Sequence, residues 1–321
     1  MAEKPSILVT RRLPDAVLER IARDYEGILN EQDVQYSASD ILELSSRADA
    51  ILPCSTEKFG ADLINALPAR VQAIATYSAG YDHIDLGAAK ARGIVVTNTP
   101  DALTDSTAEI ALLCLLGAAR QAHNAGTILR TGQWDRWEPT AMLGVELTGK
   151  RLGILGMGRI GRGVAKRARG FDMEIHYHNR SQLEPALEQG AVYHEQPEEM
   201  LPQVDILSIN CPLSPETHHF INAERIASMR DGAILVNTAR GPIVEDSALI
   251  AALRSGKIAA AGLDVFEGEP AIDPAYVDLP NAFLLPHIGS ATVEARNAMG
   301  FHCLDNLDAW FSGKAPPNRL V

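Results

Sequence analysis

Short apolar runs rich in Val, Ile and Ala recur at residues 7–10, 50–53, 71–76 and 94–98, with longer stretches of helical character in between. Parallel strands need crossovers of that length, because the chain must return to the same end of the sheet before it can pair in the same direction. The first hundred residues therefore predict a small doubly wound α/β domain. A second series at residues 152–155, 174–177, 191–193, 206–209, 234–237, 260–263 and 283–285 predicts a larger sheet of the same kind. The expected fold class is α/β, with two doubly wound parallel-sheet domains.

Residues 104–131 form one helical stretch rich in Ala and Leu, followed by a segment that carries Trp134 and Trp137 and leads to the next strand. This segment bridges the two series. A final helix over about residues 292–311 carries apolar Ala295, Ala298, Met299, Cys303 and Leu307. Packing of that helix on the first unit would make the second domain an insertion in the first. No repeat of solenoid period and no low-complexity tract interrupts this pattern.

The length of 321 residues fits two domains, and 46% apolar with 22% charged residues is the composition of an ordinary globule with ample core material. That excludes a disordered, collagen-like or disulfide-stapled chain. With 41 acidic against 29 basic residues, the formal charge of -12 disfavours nucleic acid and anionic membranes as partners. Cys54, Cys114, Cys211 and Cys303 lie far apart without metal-ligand spacing, so reduced thiols and no metal site are expected. The start Met-Ala-Glu-Lys-Pro has no secretory pattern, and the longest apolar run, 110–119, is half the length needed to cross a bilayer. A cytoplasmic location is expected.

Gly156-Met-Gly158-Arg159-Ile160-Gly161 follows the strand at 152–155 and opens a helical stretch. In that context the first glycine permits a tight turn, the second admits a pyrophosphate, and the third lets the helix sit close to the strand. The phosphates would rest on orphan N–H groups at the helix N-terminus. A glycine turn without a ligand is the plainer alternative, which the strand before and the helix after make less apt. An NAD-binding unit should end its next strand in Asp or Glu, but here that strand runs into Asn179-Arg180-Ser181. A neutral amide removes repulsion and a guanidinium can grip a 2'-phosphate, so NADPH/NADP+ is expected to be preferred over NADH/NAD+.

Arg240, Glu269 and His287 each follow a late apolar run of the second series, where ligands sit in open α/β sheets. Reduction of a ketone needs one proton for the developing alkoxide, and a His held by a carboxylate can carry it near neutral pH; His287 with Glu269 supplies that pair. Arg240 can fork onto the carboxylate of an α-keto acid and polarise its carbonyl. Singly, each residue reads equally well as a turn or a structural hydrogen-bonding group. His83, His123, His176, His178, His194, His218, His219 and His302 do not follow a late strand of the cofactor sheet and are weaker candidates.

With Ala79-Gly-Tyr-Asp-His-Ile-Asp85, the glycine turn, Val236-Asn-Thr-Ala-Arg-Gly-Pro-Ile-Val-Glu245, Gly262-Leu-Asp-Val-Phe-Glu-Gly-Glu-Pro270 and Leu285-Pro-His-Ile-Gly-Ser-Ala-Thr292, the sequence resembles the D-isomer-specific 2-hydroxyacid dehydrogenase family over nearly its whole length. The resemblance implies a Rossmann-type dinucleotide-binding domain at 101–288, inserted into a flavodoxin-like substrate-binding domain at 1–100 and 289–321. It implies catalytic roles for Arg240, Glu269 and His287, a carboxamide-binding Asp264, and a substrate carboxylate held at Ser78, Ala79 and Gly80. Thr107, Cys211 and Pro212 would line the cofactor, with Thr238, Ala239 and Gly289 near the nicotinamide.

Asn179-Arg180 looks like the NADPH-preferring glyoxylate/hydroxypyruvate reductases, including those that reduce 2-ketogluconate, and implies reduction as the working direction. A homodimer is implied as well. Trp134 and Trp137 read either as core packing at the domain junction or as a segment reaching across that dimer, with Trp137 in the partner's substrate pocket. Three alternatives stand beside this reading: a dinucleotide-sensing corepressor, an NAD-dependent phosphoglycerate dehydrogenase, and a formate dehydrogenase relative. The chain shows no further regulatory domain of the kind long phosphoglycerate dehydrogenases carry, and it keeps Glu269, which formate dehydrogenase relatives replace.

Overall fold

Stiff β-branched side chains favour the pleated sheet, and the apolar runs that carry them become strands. A computed structural model describes residues 4–321 and divides them between a five-stranded and a seven-stranded sheet, all pairings parallel. One compact unit takes the chain up to Leu103 and again over Ser290–Val321, and the other is Thr104–Gly289.

In the first unit, β1 (Ser6–Val9), β2 (Glu26–Leu29), β3 (Ala50–Leu52), β4 (Ala73–Ala75) and β5 (Val95–Thr97) run in the order β2-β1-β3-β4-β5. Successive strand residues point to opposite faces, and helices cover both, so Ile7 and Val9 pack with Val17 and Ile21 while Leu8 and Ile51 pack with Phe59 and Ile64. The helix Val293–Phe311, capped by the Thr292 hydroxyl accepting from the Ala295 N–H, joins the first of these cores through Met299, Cys303, Leu304 and Leu307. Ala298 is only half-buried, whereas Gly300 is buried and a Cβ there would lie 2.4 Å from Val17. Strand β2 escapes the sequence pattern: Glu26-Gly-Ile-Leu29 is an edge strand with three of four residues exposed.

In the second unit, β6 (Arg151–Leu155), β7 (Glu174–His178), β8 (Val192–His194), β9 (Ile206–Ile209), β10 (Ala233–Asn237), β11 (Ile258–Leu263) and β12 (Ala282–Leu284) run in the order β12-β11-β10-β9-β6-β7-β8. The chain winds outward in both directions from the adjacent pair β6 and β9. Their carboxyl ends form the switch point where an open parallel sheet leaves a crevice. One continuous helix over 104–131 is a sequence expectation that the structure corrects: Thr104–Ala119 and Ala122–Arg130 are separate, with Gln121 left-handed at φ 50°. The Ala119 carbonyl accepts from the Val145 N–H at 2.8 Å, in place of the bond from the His123 N–H that a continuous helix would make, and the Gln121 side-chain amide donates to the Leu143 carbonyl. Among the described residues, no helix is long and apolar enough to cross a membrane.

Candidate active site

Gly156 leaves β6 at φ +92°, and a Cβ there would lie 2.6 Å from the Cys211 backbone nitrogen, so the segments leaving β6 and β9 touch at the switch point. A side chain on Gly161 would meet the Gly156 carbonyl at 2.4 Å, whereas one on Gly158 would meet nothing within 4 Å. Gly158 caps the helix Arg159–Ala168 and leaves open space before its first N–H groups. That is the cradle a pyrophosphate needs: close packing behind, room in front, and the positive end of a helix dipole. Arg159 and Ile160 form the first turn.

The Asn179 Oδ1 accepts from the Met157 N–H at 2.7 Å. The sequence gives Asn179 only the job of sparing a 2'-phosphate from repulsion; in the fold its amide also fixes the glycine turn. Arg180 and Ser181 follow on the surface, beyond the end of β7. Asn210 Oδ1 and Thr238 Oγ1 are buried without a hydrogen-bond partner within the chain, which is costly unless a ligand supplies one. Asn210 has no counterpart in the sequence reading, where it is simply the residue before Cys211. Burial pushes the Cys211 thiol up to about 12, so it is a neutral wall. The neighbouring Pro212 carbonyl accepts from the Thr217 hydroxyl. Open glycine turn, helix N-terminus and orphaned polar atoms together fit a dinucleotide.

At the ends of β10, β11 and β12 stand Arg240, Asp264 and His287. His287 Nδ1 lies 2.5 Å from Glu269 Oε1, and Glu269 Oε2 accepts from the Phe266 N–H at 3.2 Å. Burial opposes the charge on Glu269, but the His287 hydrogen bond and charge, the Phe266 N–H and the Arg240 guanidinium outweigh it and hold the pKa below the usual carboxylate value. Glu269 is therefore an acceptor and Nδ1 the donor. Nε2 is left as the nitrogen that can give or take a proton elsewhere.

His287 adopts the left-handed conformation at φ +53°, which few side chains tolerate. The buried Asp264 carboxylate fixes this turn by accepting from the Ile288 and Gly289 N–H groups, both at 2.7 Å. Burial raises the Asp264 pKa; the two N–H groups and His287 oppose it. Thr107 donates to the Gly289 carbonyl from the other side. Both Asp264 oxygens are thus engaged behind His287, a placement the sequence does not disclose. Arg240 donates to the Ala239 carbonyl, and Asn237 braces that loop through the Ala239 N–H and Arg240 carbonyl. A Cβ on Gly241 would fall 1.8 Å from the Phe266 carbonyl carbon, so only glycine lets the Arg240 loop approach the loop bearing Glu269.

In the first unit, Ser78, Ala79 and Gly80 follow β4 as a pinned turn. Their carbonyls accept from the Thr99 N–H, the Asn98 amide and the Ser78 hydroxyl. Trp134 and Trp137 are 54% and 77% exposed, which removes the core-packing reading of both residues.

A parallel sheet with a glycine turn at its switch point and titratable groups at neighbouring strand ends defines a class, the dinucleotide-binding α/β enzymes. Residues 112–289 match the D-isomer specific 2-hydroxyacid dehydrogenase family, NAD binding domain. The chain is 44% identical over 313 residues to the glycerate dehydrogenase of Hyphomicrobium methylovorum, covering 97% of each. It is 41% identical over 321 residues to the glyoxylate reductase of Thermococcus litoralis, covering 99% of this chain and 97% of that one. Among solved structures, the NADPH-dependent glyoxylate/hydroxypyruvate reductase of Sinorhizobium meliloti in complex with NADP and malonate superposes with a TM-score of 0.90 at 36% identity, covering 99% of this chain and 97% of that one. The protein belongs to the D-isomer specific 2-hydroxyacid dehydrogenase family and is an oxidoreductase with an NAD(P)-binding domain.

Proposed function

We propose that the protein reduces small 2-keto acids, glyoxylate and hydroxypyruvate foremost and 2-ketogluconate as a larger case, to D-2-hydroxy acids, with NADPH preferred over NADH. The observation that carries this reading is the 2.5 Å pairing of His287 Nδ1 with Glu269, on the same unit as the glycine turn. Relatives named glyoxylate reductase and glycerate dehydrogenase support the substrate class, since glycerate is reduced hydroxypyruvate. The exposed Arg180 where an acidic residue would suit NAD supports the cofactor choice.

NADPH, when bound, supplies the hydride that the keto carbon accepts. Gly156, Gly158 and Gly161, with the first-turn N–H groups of Arg159 and Ile160, would hold its pyrophosphate, and Arg180 with Ser181 its 2'-phosphate. Thr238, Ala239, Asp264 and Gly289 would border the nicotinamide, with Thr107, Cys211 and Pro212 as further wall. Ala79 and Gly80 N–H groups, beside Ser78, grip the substrate carboxylate. Arg240 would fork onto a keto acid's carboxylate and polarise its carbonyl. His287 delivers a proton from Nε2 to the carbonyl oxygen, while Glu269 holds Nδ1 and stabilises the charged ring. Hydride on carbon and proton on oxygen complete the hydroxy acid.

We further propose a homodimer in which Trp137 enters the partner's substrate pocket and limits substrate size. Its exposure, with Leu129 at 62% and Leu143 at 68% nearby in sequence, supports a surface awaiting a second copy.

The test is a panel of keto acids assayed by cofactor absorbance with NADPH and with NADH. Turnover of glyoxylate and hydroxypyruvate, faster with NADPH, is expected. Turnover near zero on every keto acid would replace the enzyme with a dinucleotide-sensing binding protein. On the same panel Trp137→Ala should raise the rank of bulkier acids; an unchanged ranking removes Trp137 from the pocket.

A further inference from the structure

Away from the pair at His287, three side chains converge that neither the cofactor nor the substrate reading uses. His219 Nε2 lies 2.9 Å from Glu267 Oε2, and His218 Nε2 lies 4.0 Å from Glu267 Oε1, so each carboxylate oxygen faces one imidazole. The two rings sit 4.0 Å apart, tilted by 31°, and one ligand atom from each of the three residues falls within 4.8 Å of the others. The backbone fixes this arrangement. Ser214 and Thr217 close a turn through the Ser214 N–H and Thr217 hydroxyl at 2.8 Å, and the His218 N–H returns to the Ser214 carbonyl. His219 is left-handed at φ 47° and donates its N–H to the Pro242 carbonyl at 2.7 Å. Glu267 comes from the loop after β11, 48 residues further along the chain than His219.

Two imidazoles and a carboxylate suit a borderline-soft divalent ion of the first transition row, not Mg2+ or Ca2+, which demand oxygen shells. Zn–N and Zn–O bonds of about 2.0–2.2 Å place tetrahedral ligand atoms about 3.4 Å apart, between the 2.9 Å and 4.0 Å separations of the two imidazoles from Glu267. Side-chain exposures of 51%, 36% and 39% give an ion direct access and leave room for water in the remaining positions.

The geometry points to a site for a zinc-class divalent cation formed by His218, His219 and Glu267. A bound ion clamps the 214–220 turn to the loop that carries Glu267 and, two residues on, Glu269. The sequence conceals the site because neighbouring histidines at 218 and 219 have no ligand-like spacing and their carboxylate is remote.

The probe is ZnCl2 titrated calorimetrically into the full-length protein, with thermal unfolding followed alongside, because an ion bound only to the folded state raises Tm. One equivalent should bind and raise Tm. The double variant His218→Gln/His219→Gln and, separately, Glu267→Gln should each weaken binding at least about tenfold and abolish the Tm rise. Cu2+ bound in the same place should show electron paramagnetic coupling to two nitrogens. No saturable Zn2+ binding in the parent overturns the site. So does binding that survives both variants, or that is lost only in His287→Gln.

Discussion

At φ +53° the His287 backbone carries a cost of about 1–2 kcal/mol that glycine would not incur. The two N–H bonds to Asp264 and the contact with Glu269 hold it there. His287→Gly relieves this strain but gives up the Glu269 contact, so its stability should stay near the parent's, while kcat for keto-acid reduction falls by about 10² to 10⁴. Denaturation midpoints and initial rates on the same preparations check both halves, and a variant that loses stability along with activity would contradict the strain. Arg180→Ala should cost about tenfold or more in kcat/KM with NADPH and leave NADH nearly unchanged, since one charge-assisted bond to a phosphate is worth roughly 1.5 to 3 kcal/mol. Equal losses with both cofactors would mean that Arg180 does not touch the 2'-phosphate. Positions 240, 269 and 287 are legible because each ends an apolar run. The pairing of Glu269 with His287 is expected from the chemistry of the two side chains, and it forms at 2.5 Å because the intervening loop folds back. Asn179 shows a limit: the sequence locates it after β7, but only the fold reveals that its amide secures Met157.

Among the elements, β7 and β8 share a buried histidine pair. His176 Nδ1 and His194 Nε2 are 2.9 Å apart in stacked rings, and His176 Nε2 faces Glu174. Burial, then the His176 charge, lowers the His194 pKa, with Glu199 acting the other way. A histidine whose folded pKa is depressed resists a proton that the unfolded chain accepts. Its contribution is complete above the unfolded value of about 6.5 and is lost as pH falls toward the folded one. The parent should therefore lose folding stability between pH 7.5 and 5.5 faster than His194→Gln, by at most about tenfold in the folding constant per pH unit. Urea midpoints at the two pH values measure this, and parallel loss in both proteins would dismiss the pair as a proton sensor. The central strands are readable because both faces are covered and the runs are continuously apolar. Strand β2 and the break at Gln121 are not, since β2 depends on pairing with β1 and the break depends on Val145 reaching Ala119.

Across the whole molecule the cores are separate: one pair of clusters belongs to the unit of β1–β5 and the other pair to Thr104–Gly289. Leu304 and Leu249 are both fully buried, one in each unit. Leu304→Ala and Leu249→Ala should each cost roughly 2–5 kcal/mol. Scanning calorimetry should show each variant shifting a different part of the unfolding profile. Identical profiles for the two would show a single cooperative block. The pattern of apolar runs locates both sheets, but the return of the chain is legible only as a terminal helix with one apolar face, whose partner surface no local signal names. That return has a consequence for synthesis. Thr104–Gly289 leaves the ribosome as an unbroken segment with every strand of its sheet, whereas the sheet begun at β1 lacks the Met299–Leu307 face of its core until the closing segment emerges. The part translated first is the part completed last, and the nascent chain must keep Ile7, Val17 and Ile21 shielded while nearly two hundred residues are added.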